Sequence, residues 1–254
     1  MNGNNRMKAW AVLFWLLVWQ LAAMAVGREI LLASPWRVLM RLGELVVQTG
    51  FWLANLHSLC RIGGGFLLGV AAGALMAVWA AQSLRARELW APLMLTVKSV
   101  PVASFIILAL IWVPSRHLAV LIVFLMVLPI IYTNTLDGID RLDPRLTEMA
   151  RVFRIPPLRR ARLVYLPQVL PGFLTGCKLA LGLCWKAGAA AEVIGMPKGS
   201  IGERLQQAKV YLDTPDLFAW TLVIVALSWA FGKLVLWVLD AAGRRLAGLP
   251  RAGR

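Results

Sequence analysis

The sequence predicts an all-α integral membrane protein, and three observations carry that prediction. The runs WAVLFWLLVWQLAAMAV (Trp10 to Val26) and LAVLIVFLMVLPIIY (Leu118 to Tyr132) hold no charge at all. Six apolar runs, at about 8–26, 58–81, 92–113, 117–136, 168–191 and 217–240, approach the roughly 20 residues a helix needs to cross the hydrocarbon core. The chain is 60% hydrophobic with a formal net charge of +15, yet its charges collect at the ends of the apolar runs. Helices satisfy every backbone group inside lipid, so six transmembrane helices in a single domain over residues 1–254 are expected.

The first run follows a short basic start, as in a signal peptide. It is long for that purpose and lacks a small-x-small cleavage site, so it reads as a retained helix. After it, SPWRVLMRLGELVVQTGFWLANLHS has Ser34 as a cap and Pro35 at the first helical position. Val38, Leu39, Leu42 and Leu45 recur with helical spacing, which predicts an amphipathic helix lying at the membrane surface. In the second run Gly65, Gly69 and Gly73 fall at intervals of four, on one face that a neighbouring helix can approach closely. The segment EVIGMPKGSIGERLQQAKVYLDTPD, Glu192 to Asp216, is the longest polar connection on the far side. It reads either as a solvated cap over the bundle or as the lining of an entrance or a contact for an external partner.

Positive residues mark the cytoplasmic side. One set of connections holds Arg6, Lys8, Arg85, Arg87, Arg141, Arg145, Arg151, Arg154, Arg159, Arg160, Arg162, Arg244, Arg245, Arg251 and Arg254. The other holds Arg28, Arg37, Arg41, Arg116, Lys198, Arg204 and Lys209. The first set prevails by about two to one, which puts both termini in the cytoplasm. Basicity confined to the ends of apolar runs also argues against a nucleic-acid partner.

Sites for chemistry are scarce. No glycine-rich loop ends in Gly-Lys-Ser/Thr, so the chain has no nucleotide site of its own. Only His57 and His117 could serve a histidine-based centre, and no catalytic cluster emerges. Cys60, Cys177 and Cys184 lack metal-ligand spacing and read as packing residues, so neither a metal nor a catalytic site is assigned. Polar residues at membrane depth carry more information, because each is costly unless it faces the bundle interior or water. Lys98, Ser99, Lys178, Lys186 and Glu192, with Trp185 beside Lys186, are the candidates for a solute pathway. Lys186 is either paired inside the bundle or turned toward an anionic solute. Lys178 lies about two turns away on nearly the same face.

The most basic stretch is RLTEMARVFRIPPLRRARLVYLPQVLPG, Arg145 to Gly172. Asp143 is a good cap and Pro144 suits the first helical position, so a helix is expected to about Arg154. Leu146, Met149, Ala150 and Phe153 form its apolar face. Ile155-Pro156-Pro157 stops it, and a second short helix is expected from Pro157 to Pro167. Two uses fit such a unit: arginines holding it on anionic lipid, or an apolar face and turn filling a groove on another protein.

The same residues resemble a known motif. Glu148-Met149-Ala150, three residues, Arg154, nine residues and Val164-x-Leu166-Pro167 are similar to the Glu-Ala-Ala, Gly, Ile-x-Leu-Pro loop of permease subunits in binding-protein-dependent ABC importers. The likeness runs from Ser34-Pro35 to the end of the sixth run and is greatest for permeases of the nitrate, sulfonate and taurine group. It implies a type I ABC importer permease fold whose loop 137–167, between spans four and five, forms the coupling helix. Glu148, Met149, Ala150, Phe153, Arg154, Ile155 and Pro156 would dock on an ATPase. It further implies a homodimer in a bacterial inner membrane, two ATPase subunits holding ATP and Mg, no cofactor on this chain, and a periplasmic or lipid-anchored solute-binding protein. A small anion such as a sulfonate, taurine or nitrate is the expected solute. Two residues depart from the motif. Met149 replaces an alanine and keeps the apolar face, whereas Arg154 stands at the glycine, where positive φ is costly for a side chain. A secondary transporter or channel working without ATP is the alternative, with Lys186 as its one candidate for ion coupling.

Overall fold

The computed structural model describes residues 9–247, and every regular element in them is helical. The helices are α1 (Ala9–Val26), α2 (Pro35–Val46), α3 (Thr49–Gln82), α4 (Leu84–Ser99), α5 (Val102–Ala109), α6 (Ser115–Asp140), α7 (Pro144–Val152), α8 (Pro157–Arg160), α9 (Leu166–Gly195), α10 (Ile201–Val210) and α11 (Thr214–Ala247). Arg6, Lys8, Arg251, Arg254 and both chain ends lie outside the described residues, as do the side chains of Arg244 and Arg245.

Three helices make the core. Ile62 and Phe66 of α3, Val123, Val127 and Ile131 of α6, and Cys177, Ala180, Cys184 and Trp185 of α9 form one buried cluster. Gly65 and Gly73 explain how α3 and α6 come so close: a Cβ on Gly65 would sit 2.6 Å from the Val120 carbonyl oxygen, and one on Gly73 2.8 Å from that of Leu128. Close backbone approach of this kind replaces the hydrophobic drive that lipid withholds from helix pairs. α11 packs outside the three, where Phe231 meets Trp185 edge-on.

Four helical stretches are long and apolar enough to span a membrane: α3, α6, the continuous run from Pro157 to Gly195, and α11 as far as Leu239. The expected third span is not one straight helix. α4 and α5 meet at 102° across Val100-Pro101, because proline disfavours helical geometry in the residue before it. Counted as one span, the bent pair is the fifth, and α1 is an apolar helix of lesser length.

Two further boundaries differ from expectation. The second span begins at Thr49 rather than near 58, since Phe51 packs at 5.3 Å on Trp220 and holds the first turns of α3 to α11. Pro167 does not end a helix. A π-helical turn, Ala161–Tyr165, lets the Leu166 N–H reach back to Ala161, and α8 runs into α9 unbroken. Proline lacks an N–H and crowds the preceding turn, and the wider turn absorbs both.

α2 forms as expected, with Ser34 accepting from the Arg37 N–H at 3.4 Å. Val38 and Leu45 are buried against α11, while Leu39 faces outward. Arg41 fixes the helix through a 2.8 Å ion pair with Asp216.

Candidate functional site

Candidate residues occupy four places: the loop between α6 and α9, the outward face of α9, the last turn of α4, and the cap at the far end of α9. A helix of α9's 30 residues is about 45 Å long, so loop and cap stand at opposite ends of the bundle.

In the loop, Asp143 accepts from the Arg145 N–H at 2.9 Å and starts α7 as its sequence requires. Gln168 ties the helix start to α9: its carbonyl accepts from the Asp143 N–H at 2.9 Å, and its amide donates to Val164 O at 2.8 Å. At the other end, the Ile155 N–H bonds Ala150 O at 3.0 Å and the Arg154 N–H bonds Arg151 O at 2.9 Å. This pair of bonds closes a helix on a left-handed residue, and that residue is Arg154, at φ 48°. The backbone therefore keeps the shape that the motif's glycine would allow, with arginine carrying about 1–2 kcal/mol of strain.

The expected apolar face divides. Ala150 is fully buried beneath α7, while Leu146, Met149, Val152 and Phe153 point outward, Phe153 with 73% of its surface open. Glu148, Arg154 and Pro156 are exposed beside them and Ile155 is half-buried. Val152 and Leu158, open at 78% and 85%, extend the apolar surface beyond the residues the sequence suggested. Large apolar side chains left open on one polar loop suit a contact with another molecule.

The buried side of α9 includes Cys177, Ala180, Cys184, Trp185, Gly188 and Glu192. Its opposite side presents Thr175, Lys178, Gly182 and Lys186, all exposed. Among the described residues no carboxylate pairs with Lys178 or Lys186. Lys98, at the last turn of α4 beside the bend, donates to Thr133 Oγ1 at 2.8 Å, and Ser99 donates to Leu95 O at 2.8 Å. Trp185 and Glu192 are inside the subunit, so the helix turns them away from the lysine face.

A recurring step marks these helices. Thr96, Thr133 and Thr175 each donate to the carbonyl of the proline four residues earlier, Pro92, Pro129 and Pro171, at 2.8, 2.7 and 2.9 Å. Proline leaves a carbonyl of the ladder unpaired, and a threonine bonding back bends the helix further.

The polar segment after Glu192 contains α10, which the composition alone did not reveal. Ser200 caps it by accepting from the Glu203 N–H at 3.0 Å, and Glu203 accepts from the Gly199 N–H at 2.6 Å. The signal was present in the sequence as Ser-x-x-Glu. Glu192, only 1% exposed, accepts from Ser58 Oγ at 2.6 Å and from the Gly202 N–H at 3.4 Å, with Arg61 Nη1 at 3.6 Å from its other oxygen.

Comparison with known proteins agrees with this architecture. Residues 69–248 match the family model described as the binding-protein-dependent transport system inner membrane component. SsuC of Bacillus subtilis, a permease named for aliphatic sulfonates transport, is 27% identical over 219 residues, 85% of this chain and 78% of its own length. The bicarbonate transport system permease protein CmpB of Synechococcus elongatus is 23% identical over 193 residues, 76% of this chain and 69% of its own. The formylaminopyrimidine transport permease protein ThiX of Halalkalibacterium halodurans is 24% identical over 205 residues, covering 80% and 81%. These relatives are importer permeases of the nitrate, sulfonate and taurine type that the motif resembles. A crystal structure of an amino acid ABC transporter with histidines shares the fold, with a TM-score of 0.56 at 19% identity over 75% of this chain and 91% of that one. A multi-pass helical chain matched by one family model over most of its length thus belongs to the binding-protein-dependent transport system inner membrane components, as the permease subunit of an ABC transporter.

Proposed function

We propose that two copies of this chain form one pathway for a small anionic solute across a bacterial inner membrane, opened by two ATPase subunits. The observation that carries the reading is the exposed apolar tip of α7, Met149, Val152 and Phe153, set on a turn whose backbone is fixed by Arg154. Glu148, Met149, Ala150, Phe153, Arg154, Ile155 and Pro156 make the docking unit. Ala150 seats α7 from below, and Ile155 closes the turn. The arginines of the loop keep it, and both termini, in the cytoplasm. ATP and Mg²⁺ sit on the ATPase, which hydrolyses the nucleotide, and this chain holds no cofactor. A periplasmic or lipid-anchored binding protein delivers the solute from outside.

Two charged lysines on a face exposed to hydrocarbon would be costly. Facing a second copy across a water-filled gap removes that cost, so Lys178, Lys186, Lys98 and Ser99 line the pathway. Their charge suits a sulfonate, taurine or nitrate, the solute class that a relative named for sulfonates also favours.

Phe153→Asp and Glu148→Lys test the docking surface. Both variants are expected to insert in the membrane in normal amounts while the ATPase no longer co-purifies. Normal retrieval of the ATPase by both variants would overturn the reading. Uptake of taurine and nitrate into inside-out and right-side-out vesicles, with ATP or with an ion gradient alone, tests the energy source. Lys186→Gln is expected to lower ATP-driven uptake at least tenfold, and uptake sustained by an ion gradient without ATP would count against it.

A further inference from the structure

We infer that Glu192 is a positioning residue that couples the cap helix α10 to the pathway helix α9, so that the two move as one body during the transport cycle. The inference rests on the reading of this chain as an ATPase-driven permease.

Glu192 ends the membrane portion of α9, and nothing about its own segment explains a buried carboxylate there. Its partners come from two other elements. Ser58 of α3 is fully buried and serves both: its hydroxyl donates to Glu192 Oε2 at 2.6 Å and accepts from the Ile201 N–H, the first residue of α10, at 3.0 Å. The Gly202 N–H reaches the same Glu192 oxygen at 3.4 Å. Arg61, one turn along α3, places Nη1 at 3.6 Å from Oε1 and donates from Nη2 to Lys198 O at 3.4 Å. His57, on the same side of α3, has Nδ1 at 3.1 Å from Gly199 O. The connection from Lys198 to Gly202 is therefore held by three residues of α3 and one of α9.

Packing agrees with the bonds. A Cβ on Gly202 would fall on the Glu192 backbone and Cβ, so the first turn of α10 lies directly on the last turns of α9. A loop that served only as a solvated lid would need none of this. Polar groups buried away from water cost free energy unless they are paired, and here the bonds made by Glu192 Oε2 and the Ser58 hydroxyl draw on all three elements at once. Displacing α10 from α9 breaks the bonds from the Ile201 and Gly202 N–H groups to Ser58 and Glu192 and leaves two amide donors of its first turn unpaired, so the cap follows α9 rather than sliding over it.

α10 stands at the end of the bundle opposite the ATPase-docking loop, which makes the inference testable across the membrane. The experiment is amide hydrogen exchange on the purified permease–ATPase complex, with and without trapping by Mg-ATP and vanadate. In the wild type, trapping is expected to change exchange in Ile201–Val210 together with the outer turns of α9. In Glu192→Ala and in the milder Ser58→Ala, the α10 amides are expected to exchange at least tenfold faster in both states and to lose their response to trapping. ATP hydrolysis by the assembled complex should stay within about twofold of wild type, while solute uptake falls in step with the lost response. Ser58→Ala removes one hydroxyl and keeps the packing, so it serves if Glu192→Ala does not fold. A wild-type α10 indifferent to trapping, or a response retained in Ser58→Ala, overturns the inference. Failure of the chain to retrieve an ATPase at all would instead overturn the functional reading, and the inference with it.

Discussion

The loop after α6 and the cap after α9 end their helices in the same way and are held in opposite ways. In the loop, Ile155 bonds back to Ala150 with Arg154 left-handed at φ 48°; in the cap, Asp213 bonds back to Ala208 with Leu212 left-handed at φ 56°. Neither turn uses the glycine that the conformation favours. The cap is then bolted to α3 and α9 by buried polar groups, whereas the loop leaves Met149, Val152 and Phe153 in the open. One turn geometry thus stands in two settings, and the anchoring around it separates them: the cap is tied down within the subunit, and the loop leaves open the apolar surface proposed for docking.

Three substitutions sharpen or break this contrast. Gly202→Val has the largest expected effect, since its side chain overlaps the α9 backbone where nothing can yield. It should cost about 3 kcal/mol and lower the thermal midpoint of the detergent-solubilised protein. A midpoint equal to wild type would mean that the cap is not bolted down. Ala150→Leu comes next. It overfills the space under α7 and should cost about 2 kcal/mol locally, read as faster proteolysis within 144–157. Unchanged proteolysis would show that the loop rests on nothing. Arg154→Gly is smallest and opposite in sign, relieving about 1–2 kcal/mol of left-handed strain against roughly 1 kcal/mol of added unfolded-chain entropy. The loop should become slightly slower to cleave, while β-branched Arg154→Val makes it faster. Faster cleavage in Arg154→Gly would argue that the arginine side chain itself holds the turn.

Much of the loop was legible in the sequence because its determinants are local. Asp143 and Pro144 announce the start of α7, and the matching register of Glu148, Arg154, Leu166 and Pro167 announces the turn. Pro167 misled because a proline reads as a stop, and the π-helical turn that absorbs it leaves no mark of its own in composition. The six-run pattern found the long helices; Pro101 marks where the third run breaks, but the direction α5 takes after the 102° bend goes with its packing on α6 and α9, which no local pattern reports. The cap was the least legible part. Ser200 and Glu203 spell a helix start, but the burial of Glu192 depends on Ser58 and Arg61, more than a hundred residues away, and no local pattern reports such a pair.

The proline–threonine steps on α4, α6 and α9 have a consequence for how these helices bend. Each lies in the half of its span nearer the loop, and on α9 the bonds to Glu192 lie toward the other end. A helix fastened at one tip and jointed toward the other swings at the jointed end. α9 is therefore built like a hinged stave, stiff at the end beneath the cap and pliant toward the loop.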